Sequence, residues 1–321
     1  ELIMISIVMP AYNAEKFIFQ TLNKLNNQTL KDFEVVIVND GSTDKTESIV
    51  KKFIEFNKLP WQLISQENKG EGEARNTGIK NIKGHYILFL DADDYLADNA
   101  LEKLYFSLIK NDADLSFSSF SYVFGNQNQR LYHHPNKIYD KYNLMKLFFR
   151  RLANPGIGNT LFKKELIDNN DIKFETYKAG ADNHFFRKLL LYVNKSVSIE
   201  DNLFFYIYNN TSIMNTSYSF NRLDSIYSVL NTIEEYKQKN IDKKIINYMN
   251  IFLISEIRGN AIGFLKANDN INDNIINDLK TKILLFLPKN VSLLLFLSNK
   301  RILWLFSLLF FYKFPINSLK L

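Results

Sequence analysis

The 321-residue chain has no cysteine, which excludes disulfides, thiolate metal sites and a cysteine nucleophile. It has only four histidines, so a histidine-rich metal centre is not expected, and any bound metal would sit on carboxylates. Residues 2–9 are apolar, but Pro10 ends the run and no basic stretch precedes it, so it is not read as a secretory leader. Acidic residues stop at Asp278, although the tail beyond still carries Lys280, Lys282, Lys289, Lys300, Arg301, Lys313 and Lys320. What the chain does have is apolar: 46% hydrophobic and 14% aromatic residues, enough to bury a sizeable core in one large or two modest domains. Net charge is +6.

The N-terminal part alternates strand and helix patterns. Strands are predicted over Ile3–Val8, Glu34–Val38, Trp61–Ser65 and Tyr86–Leu90, with helices over Glu15–Leu25, Thr46–Phe56 and Glu73–Ile82. That alternation predicts an α/β fold whose mainly parallel sheet is flanked by helices. In such sheets ligands bind beyond the carboxyl ends of the strands. Four polar clusters fall there: Pro10-Ala11-Tyr12-Asn13, Asn39-Asp40, Asn68 to Arg75, and Asp91 to Asp94. Past residue 111 the pattern loosens. Strands are predicted over Leu115–Val123, at Leu161-Phe162 and over Leu203–Tyr208, and helices over Tyr142–Leu152 and Asp182–Val193. The chain reads as helical from about 220 onward. His133 and His134, before Pro135, read as a surface loop.

Each cluster offers a chemistry and a plainer alternative. Asp91 and Asp93 leave a strand at i and i+2, so both carboxylates can reach the crevice and share a hard divalent cation with two phosphates. The alternative is a solvated acidic turn. Asp40 can accept the imide N–H of uracil, or merely form the turn before Gly41. Tyr12 can stack on a base. Gly70-Glu-Gly-Glu-Ala-Arg75 is not a dinucleotide loop, because Arg75 stands where a third glycine is needed. Arg75 can face a phosphate, or clasp Asp40 or Asp91, and both roles remain open. Asp44 reads as a helix cap.

Taken together, Ser6 to Asn13, Val38 to Asp44, Ala74 to Gly78 and Phe89 to Asp94 resemble glycosyltransferase family 2, over roughly residues 3–215. The resemblance implies a GT-A domain over 1–215, with a nucleotide-binding half at 1–110 and an acceptor half at 111–215, followed by a helical region at 216–321. It implies an inverting, metal-dependent transfer from a UDP-sugar to a glycan or lipid-linked glycan in bacterial surface polysaccharide synthesis, such as capsule. Nucleotide-sugar contacts would fall to Pro10, Ala11, Tyr12, Asn13, Asp40, Arg75, Asp91 and Ala92. Asp93 would hold Mn2+ or Mg2+, with Asp91 on the ribose or on metal-bound water. Asp182 would be the general base, with a helix cap as its plainer reading. Two departures stand out: Ala181 replaces the family's usual Glu, and Asn209-Asn210 stand where a cation often closes over the diphosphate. They sustain the alternative of a non-catalytic nucleotide-sugar-binding or scaffold protein. His184 reads as packed or solvated.

A nucleotidyltransferase would want a Gly-rich basic loop after the first strand, and a processive synthase a Gln-x-x-Arg-Trp motif with several membrane spans; neither is present. In the tail the longest uncharged run, Ile302–Tyr312, is well short of the ~20 residues that span a bilayer. Residues 280–321 are expected to lie on a membrane surface, at the inner, cytoplasmic face, or else to form a helical core or a homo-oligomer contact. No nucleic-acid partner is implied.

Overall fold

The structure, a computed structural model, describes residues 4–125, 128–177, 179–208 and 223–267. The chain forms two compact units. The first comprises Glu1–Leu144, Ala153–Thr176 and Phe185–Ser212; the second gathers Met145–Leu152 and Tyr177–His184 with the chain from Ile213 on.

The N-terminal alternation is present: β1 (Ile5–Ala11), α1 (Ile18–Asn26), β2 (Phe33–Asp40), α2 (Thr46–Asn57), β3 (Gln62–Gln66), α3 (Glu71–Asn81) and β4 (Tyr86–Phe89). It is followed by β5 (Tyr95–Leu96), α4 (Ala100–Lys110), β6 (Leu115–Phe124), β7 (Asn128–Tyr132), β8 (Lys137–Asp140), α5 (Lys141–Phe149), β9 (Thr160–Lys163), α6 (Glu165–Asp168), α7 (Ala181–Leu190) and β10 (Lys195–Tyr208). The last described elements are α8 (Asp224–Gln238) and α9 (Lys243–Ala267).

Ten strands make one sheet in the order β3-β2-β1-β4-β9-β6-β10-β5, with β7 on β6 and β8 on β10. The pairs β1/β2, β2/β3, β1/β4 and β6/β10 are parallel. β9 is antiparallel to both β4 and β6, so β6 points the same way as β4. All six of these parallel strands therefore end at one sheet edge. Chain order reverses between β1 and β4, and such a switch point opens a crevice beyond the strand ends.

β1 and β2 are buried along their whole length, which is why they read as unbroken apolar runs rather than alternations. α3 lies close on β1: a Cβ on Gly78 would come 2.3 Å from Val8 Cγ1. Beneath β4, Phe89 meets Phe174 edge-on at 5.1 Å and Phe185 at 5.5 Å, and these two stack at 4.1 Å.

In the second unit Phe149 packs on Tyr236 of α8 at 6.1 Å and on Phe252 of α9 at 6.0 Å. His184 is buried there, with Nδ1 3.1 Å from the Ser228 carbonyl oxygen. It is a packed histidine, one of the two readings expected of it. His134 corrects the surface-loop expectation. It lies in the loop between β7 and β8, but only His133 is exposed; the His134 ring is buried 5.1 Å from Phe117. The cause is the Ser119 hydroxyl, which accepts from His134 N–H at 2.7 Å and ties the loop to β6. Among the described residues no helix is long and apolar enough to cross a membrane. The tail at 280–321 and the Asn209-Asn210 segment lie outside the described residues.

Candidate functional site

The four polar clusters converge on the strand-end edge of the first unit. β1 ends at Ala11, and Tyr12 follows, 54% exposed, beside the switch point. Asn13 adopts a left-handed backbone (φ 48°), a conformation asparagine tolerates better than most residues. The turn that this creates locks onto the loop after β2. Asn13 N–H donates to Ser42 Oγ at 3.0 Å, and Asn13 Oδ1 accepts from Thr43 N–H at 2.9 Å. Asp44 caps α2 as expected, accepting from Thr46 N–H at 2.9 Å, and reaches back to Glu15 N–H at 3.1 Å. Burial works to raise its pKa, but the hydrogen bonds from Thr46 and Glu15 outweigh it and hold the carboxyl below the usual range.

Asp40 is buried at the end of β2. Its Oδ1 accepts from Gln66 Nε2 at 2.8 Å and from Lys69 N–H at 2.9 Å; its Oδ2 accepts from Gly70 N–H at 2.8 Å. A carboxylate has about four acceptor positions, so these three bonds leave capacity for one more donor. Asp40 is thus more than a turn-former: it fixes the loop into α3. Gly41 (φ +71°) is required in the adjoining turn, since a Cβ there would meet Asn68 N at 2.8 Å.

Arg75 is fully buried in α3. One guanidinium nitrogen donates to Asp91 Oδ1 at 2.7 Å and to Glu71 Oε1 at 2.5 Å, and the group lies 5.2 Å from the Phe174 ring centre. The carboxylate clasp, one of the two roles left open, is present, and its partners are Asp91 and Glu71. Arg75 acts on the crevice through Asp91, whose side chain is 31% exposed.

Asp91 to Asp94 form a turn closed by Asp94 N–H donating to the Asp91 carbonyl oxygen at 3.2 Å. The Thr21 hydroxyl on α1 donates to the Ala92 carbonyl oxygen at 2.9 Å, holding the turn from below. Asp91 and Asp93 stay partly exposed, while Asp94 is buried. Asp94 Oδ1 accepts from Ile207 N–H at 2.8 Å, joining the turn to β10. Burial first, then the Asp91 and Asp93 charges, push the Asp94 pKa well above the carboxylate range.

Among the described residues no three carboxylates or histidines stand close enough to enclose a metal ion by themselves. Asp91 and Asp93 nevertheless fit a hard divalent cation. They are partly exposed oxygen donors two residues apart in one turn, and the phosphates of a ligand would complete the shell.

Asp182 stands in the first turn of α7, entered through Gly180 with its left-handed backbone (φ +82°). It belongs to the second unit, with Tyr177 and His184. Glu71 on Arg75 and Asp94 on β10 are contacts that no motif announces. The signal for Glu71 was its i,i+4 spacing to Arg75.

The family model for glycosyl transferase family 2 matches residues 6–170. Glycosyltransferase GlyA of Streptococcus pneumoniae is 30% identical over 63% of this chain, and the match takes in 30% of GlyA. The poly(ribitol-phosphate) beta-N-acetylglucosaminyltransferase TarP of Staphylococcus aureus is 32% identical over 64% of this chain and 63% of its own. The chain thus spans under a third of the first relative and under two thirds of the second. In solved structures the fold resembles Staphylococcus aureus TarS 1–349 in complex with UDP-GlcNAc (TM-score 0.74, 21% identity, 95% of this chain, 89% of that one). It also resembles a mannosyltransferase from Pyrobaculum calidifontis in complex with GDP-Man and Mn2+ (TM-score 0.56, 18% identity, 95% of this chain, 85% of that one). With its family model running from β1 to the end of α6, and with the strand-end clusters inside that span, this chain belongs to glycosyl transferase family 2.

Proposed function

We propose that this protein transfers a sugar from a UDP-sugar to a hydroxyl of a glycan or lipid-linked glycan acceptor in bacterial surface polysaccharide synthesis, with inversion at the anomeric carbon. The observation that carries the reading is the convergence of Tyr12, Asp40 and Asp91 to Asp94 on the switch-point edge of one parallel sheet. Asp40, with one acceptor position left, reads the uracil imide N–H, and Tyr12 covers the base. The Pro10 to Asn13 loop and Ala92 border the nucleoside and the diphosphate. Arg75 keeps Asp91 aimed at the ribose. Asp93, with Asp91 beside it, would hold Mn2+ or Mg2+. When bound, the ion would offset charge developing on the diphosphate leaving group; the Mn2+ in the Pyrobaculum mannosyltransferase supports this choice.

Asp182 acts as general base. It takes the proton of the acceptor hydroxyl, whose oxygen forms the new bond to the anomeric carbon as the bond to the diphosphate breaks and UDP departs. The UDP-GlcNAc complex of TarS and the name of TarP favour a UDP-linked N-acetylhexosamine as donor and an anionic glycopolymer as acceptor. Residues 280–321 bring the protein to the inner face of the membrane.

A base of this kind contributes ~10²–10⁴-fold, so Asp182→Asn should lose that much transfer while keeping its affinity for UDP. Unchanged transfer in Asp182→Asn removes the base assignment. No transfer by the wild type to any glycan, with UDP still bound, favours the scaffold alternative.

A further inference from the structure

The outer halves of β6, β7 and β10 carry an unusual run of rings. Register pairs Tyr122 with Tyr206 and Phe124 with Tyr208 across β6 and β10, and Arg130 with Tyr122 across β6 and β7. Paired positions share a sheet face, and alternate residues along a strand return to it. Tyr132, two residues from Arg130, is therefore on the same face. The rings touch in series: Tyr122 to Tyr132 at 5.4 Å, Tyr122 to Tyr206 at 5.0 Å, Phe124 to Tyr208 at 5.0 Å. The Arg130 guanidinium lies 5.1 Å from the Tyr132 ring centre.

Two observations separate this ribbon from ordinary core. Exposure rises along it, from 8% at Phe204 to 40% at Tyr208, so the rings leave the core and meet solvent. Its outer end also lies beside the strand-end carboxylates: Ile207 N–H, between Tyr206 and Tyr208, donates to Asp94 at 2.8 Å. The ribbon is continuous with the crevice and lies on the same sheet edge.

Its chemistry selects among occupants. Tyrosine presents an apolar ring face and a polar tip, which complements a pyranose, with its C–H faces and hydroxyl rim. A lipid surface would call for Trp, Phe or Leu backed by several Lys and Arg, and among the described residues this face offers mostly tyrosines and one arginine. Single-stranded nucleic acid also stacks on aromatic rings but needs a cationic groove. Among the described residues Arg130 is the one cation on this face, which falls short of such a groove.

We propose that this ribbon is the acceptor subsite, on which several pyranose rings of a glycan chain stack over Tyr122, Tyr132, Tyr206 and Tyr208. The chain's reacting end points toward the carboxylates, and Arg130 grips an anionic substituent or a ring hydroxyl. From Tyr122 to Phe124 the platform runs ~7 Å along the strand, and β7 and β10 widen it across three strands, so it suits a short stretch of chain rather than one sugar. The proposal rests on the glycosyltransferase reading and names the acceptor's place within it.

The test uses saturation-transfer NMR on the full chain with tetrasaccharides of β-linked glucose, of β-linked N-acetylglucosamine and of a uronic acid, plus an oligothymidylate. The expected result is transfer to the ring protons of at least one tetrasaccharide and none to the oligothymidylate. The Tyr132→Ala/Tyr208→Ala pair should weaken that tetrasaccharide at least tenfold, and Tyr132→Phe/Tyr208→Phe should restore most of it, because the ring face carries the contact. Urea midpoints of the same samples report folding, and UDP titration reports the donor site. Absence of transfer to every tetrasaccharide, equal binding by the Ala pair, or binding of the oligothymidylate alone each overturns the proposal. Loss of UDP binding in the wild type would instead overturn the donor reading and leave the ribbon result to stand alone.

Discussion

The two halves of the sheet reach the same edge by opposite means. At the ends of β1, β2 and β4 the loops are held by side chains bonded to named backbone groups: Asp40 to Lys69 and Gly70, Asp44 to Thr46 and Glu15, Thr21 to Ala92. At the ends of β6 and β10 the surface is held by ring on ring. A hydrogen bond to a backbone N–H depends on one atom in one place, and leaving that donor buried and unpaired costs the desolvation of the group. Ring contacts are broader, and one ring can replace another at small cost. A site for an invariant nucleotide suits the first kind of support. A surface for a variable glycan suits the second.

That contrast breaks most visibly at Asp40. Asp40→Ala would leave the Lys69 and Gly70 N–H groups without their acceptor; both residues are exposed, so water replaces part of it and the loss is about 0.5–1.5 kcal/mol each. The expected outcome is a lower urea midpoint together with weakened UDP binding. Substitutions on the exposed rings should leave the midpoint nearly unchanged. Equal losses at both ends would show that the two supports do not differ.

His134 sharpens the comparison at the root of the ribbon, 6.4 Å from Phe120. Burial, aided by the His133 charge, pushes its pKa down to about 4 from 6.5, and its Nε2 has no hydrogen-bond partner among the described residues. The folded-state pKa lies below the unfolded one. Between pH 6.5 and 4 the unfolded chain therefore binds a proton that the folded chain does not, and stability falls as pH falls through that window. Going from pH 7 to 5, His134 should cost about 2 kcal/mol. In His134→Leu the drop in unfolding free energy over that range should shrink by about that amount, as read from urea melts at the two pH values. An identical drop in both proteins would show that the ring is protonated in the folded state.

Much of the first half was legible because its signals are local. β1, β2 and β4 are continuous apolar runs ended by polar residues, and their predicted bounds fall within three residues of the observed ones. The clusters that follow are the residues brought together. The second half depends on pairing that the sequence does not announce. β7 and β8 are short, largely polar edge strands, and β5 is two residues long and exists because β10 lies beside it. β10 begins at Lys195, eight residues before the predicted start, because its first residues are held by pairing with β6 and β8 and the strand continues through a bulge at Asn202. α4 does carry helical spacing in Leu101, Leu104 and Leu108 but was not among the predicted elements. Which carboxylate Arg75 clasps depends on the acids the fold carries to it, and the chain leaving β4 carries Asp91.

The central claim is that the strand-end crevice binds a uridine diphosphate group with a divalent cation at Asp93. Its most direct test is calorimetric titration of UDP into wild type and Asp93→Asn, each with and without Mn2+. The account predicts that Mn2+ tightens UDP binding in the wild type and that Asp93→Asn loses this gain while retaining the Mn2+-free affinity. UDP affinity indifferent to both Mn2+ and Asp93 would contradict it.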